Sequence, residues 1–117
     1  MRILITGGSG FIGTNAVEHF SKDFDVMNVD IAKPKMNSHI KYWTNIDICE
    51  YNSLEHAVME FNPDYILHLA ARTDLDGKSV SDYSANTIGV ENVLKVASKL
   101  KHLKKIVITS SMLDRLL

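Results

Sequence analysis

A chain of 117 residues is one domain at most, long enough for a hydrophobic core but short for an enzyme that holds both a cofactor and a substrate. With 45% hydrophobic and 23% charged residues and a formal net charge of −1, it has an ordinary globular composition that argues against nucleic-acid and anionic-membrane partners. The single Cys49 allows no internal disulfide, and neither a signal peptide nor a bilayer-long apolar run is present, which together suit a reducing cytoplasm.

The first apolar run, Ile3-Leu4-Ile5, is short enough for a buried strand and leads straight into Thr6-Gly7-Gly8-Ser9-Gly10-Phe11-Ile12-Gly13. Ile12, Ala16, Val17 and Phe20 then recur at helical spacing, so the glycines lie between a strand and a helix. In such a turn one glycine lets the chain bend sharply, one lets the backbone approach a pyrophosphate, and one lets helix and strand pack closely. The free N–H groups and positive dipole end of the new helix face the phosphates. Gly7, Gly10 and Gly13 read G-x-x-G-x-x-G, and Asn15 and Ala16 stand where a triphosphate-binding loop would need Lys and Ser/Thr. A glycine-rich connector is the plainer alternative, and the second half of the unit weighs against it. Phe24 to Val29 alternates as a second strand and ends in Asp30, whose carboxylate can accept both ribose hydroxyls of an adenosine. That charge repels a 2′-phosphate, and Ile31 and Ala32 offer no arginine to bind one, so the pattern selects NAD over NADP. The simpler reading of Asp30 is a solvated acid at a strand end.

Residues 31–39, with Pro34, Asn37 and Ser38, read as a loop, and Ile40 to Trp43 as a short third strand. Asn52 or Ser53 is placed to cap a second helix with the face Leu54, Ala57, Val58 and Phe61, stopped by Asn62-Pro63-Asp64. Tyr65 to Ala71 is a continuous apolar run typical of a strand covered on both faces. A polar loop over 72–82 precedes a helix from Ser84 to Leu100, with Val90, Val93, Leu94, Ala97 and Leu100 inward. Lys105 to Thr109 reads as another buried strand, ending at Ser110-Ser111. Alternating strands and helices predict an α/β fold, a Rossmann-type doubly wound parallel sheet in the order 3-2-1-4-5. The order reverses between strands 1 and 4, which opens a ligand crevice with Gly7–Gly13 on one side and Leu69–Ala71 on the other.

With these residues in place, the chain resembles the NAD-dependent epimerase/dehydratase family, extended short-chain dehydrogenases/reductases that act on nucleotide-activated sugars. The resemblance is carried by the glycine turn, Asp30, Asp47-Ile48, His68-Leu69-Ala70-Ala71, Asn86, Gly89 to Leu94, and Thr109-Ser110-Ser111, and runs to about Met112. It implies that Gly7, Gly10 and Gly13 cradle the pyrophosphate, with backbone N–H groups from Phe11 and Ile12. It implies that Asp30 takes the adenosine ribose, Asp47 accepts from the adenine amino group, and Ile48 packs on the ring. Leu69, Ala70 and Ala71 would line the cofactor, Asn86 would steady the active-site end of its helix, and Ser111 matches the catalytic Ser/Thr that bonds the sugar hydroxyl. Plainer readings stand beside these: a turn acid for Asp47, a packed strand histidine for His68, a helix-surface residue for Asn86. The histidines at 19, 39, 56, 68 and 102 form no ligand pair at i, i+4, so no metal is expected.

The chain departs from the family in its catalytic pair and its later elements. The resemblance implies a Tyr-x-x-x-Lys pair downstream of the serine, in which lysine lowers the tyrosine pKa for general-base work. None of Tyr42, Tyr51, Tyr65 and Tyr83 has lysine four residues on. The expectation is therefore a single truncated NAD-binding domain over 1–117, cut after the fifth strand, without the C-terminal region that holds the nucleotide-sugar in relatives. Such a chain would be inactive, and it would self-associate through its exposed fifth strand. A non-catalytic dinucleotide-binding regulatory module, and another dehydrogenase branch of the same family, are the alternatives.

Overall fold

The computed structural model describes residues 1–70 and 80–109. In chain order it contains β1 (Arg2–Thr6), α1 (Phe11–Phe20), β2 (Asp25–Asp30), a short 3-10 helix (Asn37–Tyr42), β3 (Trp43–Asn45), α2 (Tyr51–Phe61), β4 (Tyr65–His68), α3 (Val80–Ala97) and β5 (Lys105–Ile108). All pairings are parallel and the order is β3-β2-β1-β4-β5, as the alternation of elements implied. β1 lies at the centre, with Ile5 opposite Asn28 of β2 and Leu67 of β4.

Alternation along β1 divides the core into two layers. Ile3 and Ile5 face one way, where they pack with Val26 and with Val17 of α1. Leu4 faces the other way, joining Val29, Ile66, Leu54 and Val58 of α2, and Val93, Val96 and Ala97 of α3. α1 covers its face through Val17 and Gly13, with Ala16 and Phe20 partly buried beside them. The start of the apolar stripe is not part of that face: Ile12 is 67% exposed.

Several local expectations are corrected. Ile40 to Tyr42 belong to the 3-10 helix, and the third strand is Trp43–Asn45. The helix buries His39, whose Nε2 lies 2.9 Å from Glu18 Oε1 on α1, so a tertiary contact overrides the strand-like composition. Glu50, not Asn52 or Ser53, stands at the N-cap of α2 and makes no side-chain cap. α2 ends as read: Asn62 takes the left-handed conformation at φ 52° and donates its N–H to the Val58 carbonyl, and Pro63 bars another turn. The polar loop of 72–82 falls largely outside the described residues, but α3 already begins at Val80. Its inward face uses Val96 where the reading put Leu94, which is 44% exposed. β5 is not buried. Among the described residues it is an edge strand paired with β4 alone, and Val107 and Ile108 are exposed.

Candidate functional site: the glycine turn and the carboxyl ends of β1, β2 and β4

The chain leaves β1 through Gly7, whose N–H donates to the Val29 carbonyl at 2.9 Å. Its φ of +76° favours glycine, and a side chain there would sit 2.7 Å from the Ala70 backbone. The first turn of α1 then rests directly on this bend, since a Cβ on Gly13 would lie 2.0 Å from the Gly7 carbonyl oxygen. Gly10 differs. The nearest atom to a Cβ there is 3.5 Å away, so its outer side is open. Gly10 is also the N-cap of α1, where no side chain caps the helix and no acidic residue occupies the first turn. The N–H groups of that turn and the positive end of the helix are thus left for an anion such as a pyrophosphate. Phe11 and Ile12, 79% and 67% exposed, flank the opening.

The tip of β2 faces the same turn. Asp30 accepts the Ser9 N–H on Oδ2 at 3.0 Å and the Ala32 N–H on Oδ1 at 2.9 Å, while the Trp43 indole donates to its carbonyl. These bonds set the carboxylate beside the glycine turn with lone pairs to spare, because a carboxylate accepts about four hydrogen bonds. Two buried polar residues here were not singled out from the sequence: Asn28, 1% exposed, and Ser9, 4% exposed. Asn28 Oδ1 accepts the Gly8 N–H at 2.7 Å, and its Nδ2 donates to Ser9 Oγ at 3.1 Å. The available signal was an asparagine at an inward position of a strand, which must find partners to be buried.

Across the crevice, Thr6 ties β1 to the end of β4. Its Oγ1 accepts the N–H groups of Leu69 and Ala70 at 3.1 and 3.2 Å and lies 2.6 Å from His68 Nδ1. The Leu69 N–H is shared between this hydroxyl and the Thr6 carbonyl, 3.0 Å away. His68 is 1% exposed, its Nε2 has no partner among the described residues, and burial lowers its pKa to about 4. It is a neutral side chain packed beside the Thr6 hydroxyl, which holds the Leu69–Ala70 ledge, where both residues are partly exposed.

At the far end, Asp47 is exposed and forms a local turn, accepting the Cys49 N–H at 2.9 Å. Ile48 lies half-buried over Gly89 of α3, and its carbonyl accepts from Asn92 Nδ2 at 2.8 Å. α3 thereby anchors the segment read as the adenine end. Asn86 is half-buried on the same helix. Ala71 and Ser111 lie outside the described residues. Of the remaining sites, Gly7, Gly10, Phe11, Ile12 and Gly13 form the turn and the start of α1, Asp30 meets that turn through Ser9, and Leu69 and Ala70 meet it at Gly7. Among the described residues no cluster of three His, Cys, Asp or Glu side chains could hold a metal, and no helix is long and apolar enough to cross a membrane. The open Gly10 cradle, the uncapped helix start and a fixed acid at the neighbouring strand tip fit a dinucleotide.

Comparisons with known proteins show which family this fold belongs to. The chain is 32% identical over 118 residues to a dTDP-glucose 4,6-dehydratase of Haemophilus influenzae, covering 87% of this chain and 34% of the relative. A UDP-glucose 4-epimerase of Thermotoga maritima, solved with UDP-glucose, superposes with a TM-score of 0.82 at 27% identity, over 94% of this chain and 38% of that one. A dTDP-glucose 4,6-dehydratase of Bacillus anthracis, solved in complex with NAD, gives 0.77 at 29% identity over 94% and 37%. The chain therefore spans about a third of the length of these relatives. Residues 3–113 match the family pattern, and the protein belongs to the NAD dependent epimerase/dehydratase family.

Proposed function

We propose that this chain is the NAD-binding portion, a single Rossmann domain over 1–117, of an enzyme that oxidises a hydroxyl of a nucleotide-activated sugar on the way to epimerisation or dehydration. The observation that carries the reading is the uncapped start of α1 at the open Gly10, with Asp30 held beside it by the Ser9 N–H. Gly7 and Gly13 shape the cradle, and Phe11 and Ile12 offer N–H groups to the pyrophosphate. Asp30 takes the ribose, Asp47 and Ile48 take the adenine, and Leu69, Ala70 and Ala71 line the crevice towards the nicotinamide. The chemistry that NAD supplies when bound is acceptance of a hydride from the carbon bearing the sugar hydroxyl. Ser111 hydrogen-bonds that hydroxyl and Asn86 steadies the helix end near it. No Tyr-x-x-x-Lys pair lies within these residues to take the hydroxyl proton, so the 117-residue chain binds the cofactor without turnover. The lone Cys49 supports a reducing, cytoplasmic setting.

Calorimetric titration tests this reading. NAD is expected to bind more tightly than NADP, and Asp30→Ala to cost about 1.5–3 kcal/mol, the value of a hydrogen bond to a charged group. Tighter NADP binding, or no heat with NAD, overturns it. The exposed β5 edge also favours self-association, because the outer edge of a strand paired on one side offers a row of free backbone groups. Light scattering should show a dimer or larger species, and a monomer at high concentration refutes that part.

A further inference from the structure

We propose that Asn28 is a positioning residue of the dinucleotide site, whose buried amide locks Gly8 and Ser9 so that the start of α1 is presented to a pyrophosphate. The proposal rests on the NAD reading above. Asn28 lies inside β2, in register with Ile5 of β1 and Trp43 of β3, and is 1% exposed. A buried amide is kept only where its polar atoms are paired, and here both ends go to the glycine turn. The Gly8 N–H can only donate, so Oδ1 must face it, at 2.7 Å. Nδ2 then faces Ser9 Oγ at 3.1 Å, which fixes Ser9 as acceptor and leaves its hydroxyl hydrogen uncommitted to the strand. The fit also restricts the turn: a Cβ on Gly8 would lie 2.4 Å from Oδ1 and 2.5 Å from Cγ. Two residues further along the same strand face, Asp30 takes the Ser9 N–H at 3.0 Å. One strand thus grips the two residues that precede the N-cap Gly10. A turn fixed before binding spares the ordering entropy that a loose turn would lose when it closes on an anion.

A residue that merely filled the core would act on stability and not on the choice of ligand. The test is Asn28→Ala in the full chain, titrated with NAD and with adenosine, which lacks the pyrophosphate, alongside amide hydrogen exchange at Gly8 without ligand. Loss of two buried hydrogen bonds from the turn should weaken NAD by about tenfold while adenosine stays within about twofold, and should speed Gly8 exchange. A folded variant with unchanged Gly8 exchange, or with equal losses for both ligands, overturns the proposal. If Asn28→Ala does not fold, Ser9→Ala removes the Nδ2 bond alone; it should weaken NAD about threefold, and unaltered binding overturns the proposal. If the unaltered chain binds no NAD, the functional reading fails on that titration, and Gly8 exchange in the variants still decides whether Asn28 holds the turn.

Discussion

Gly10 and Gly13 occupy the same motif, yet the structure assigns them opposite sensitivities. Adding a methyl group at Gly13 places a carbon 2.0 Å from the Gly7 carbonyl oxygen, 2.6 Å from Gly8 Cα and 2.8 Å from Gly7 C. All three are backbone atoms of a turn already fixed by Asn28 and Val29, so no flexible side-chain end can yield. The first turn of α1 must lift off β1 and β2, and overpacking of this severity costs about 3 kcal/mol or more. For a domain of this size that is a fall of about 10 °C or more in Tm. At Gly10 the nearest atom is 3.5 Å away, and φ −78°, ψ −175° is a conformation alanine adopts. The weaker N-cap preference of alanine is offset by its lower unfolded-state entropy, so the net change should stay within about 0.5 kcal/mol. The added methyl does, however, occupy the side from which a phosphate approaches. Thermal unfolding and calorimetric NAD titration of Gly13→Ala and Gly10→Ala should therefore separate the two. Gly13→Ala unfolds early, whereas Gly10→Ala keeps its Tm and loses about tenfold or more in NAD affinity. The reasoning is refuted if Gly10→Ala is as unstable as Gly13→Ala, or if it is stable and binds NAD normally.

Two further outcomes are expected. The pKa of His68 falls from 6.5 to about 4 on folding, so between those values the unfolded chain binds the extra proton. The stability held by neutral His68 is complete above pH 6.5 and is lost as pH falls towards 4, amounting to about 3 kcal/mol. Urea unfolding across that window should show this slope, and His68→Leu should flatten it; a slope unchanged in the variant would refute the assignment. Asn62 ends α2 at φ 52°, so Asn62→Ala should destabilise by about 1 kcal/mol while Asn62→Gly should not. Denaturant midpoints decide between them, and equal effects would contradict the conformational cause.

Much of the architecture was legible because local pattern and tertiary role agree. Ile3-Leu4-Ile5 between Arg2 and Thr6 reads as a buried strand, and Leu54, Ala57, Val58 and Phe61 mark the core side of α2 whatever they pack against. Where the reading failed, a contact distant in sequence decided. His39 drew Asn37–Tyr42 into a 3-10 helix by meeting Glu18, twenty-one residues away. The outward position of Leu94 and the inward one of Val96 reflect how α3 lies against α2, which a helical period does not specify. β5 carries as apolar a sequence as β4, but edge or centre is a matter of sheet order.

The site divides along the same line. The sequence determined the kind of chemistry: a glycine turn between a strand and a helix, an acid at the next strand tip and no arginine beside it. Those features act through backbone conformation and local charge, which neighbouring residues largely set. Only the tertiary structure showed that Gly13 is obligatory and Gly10 open, that Asn28 with Ser9 holds the turn, and that Thr6 beside His68 holds the Leu69–Ala70 segment facing it. The Gly13 clash comes from the turn folding back on itself at Gly7 and Gly8, whereas the Thr6 and Asn28 bonds depend on atoms brought within about 3 Å across segments 19 to 64 residues apart. Hydrogen bonds and van der Waals overlap are that short-ranged, and the order β3-β2-β1-β4-β5 brings those partners together.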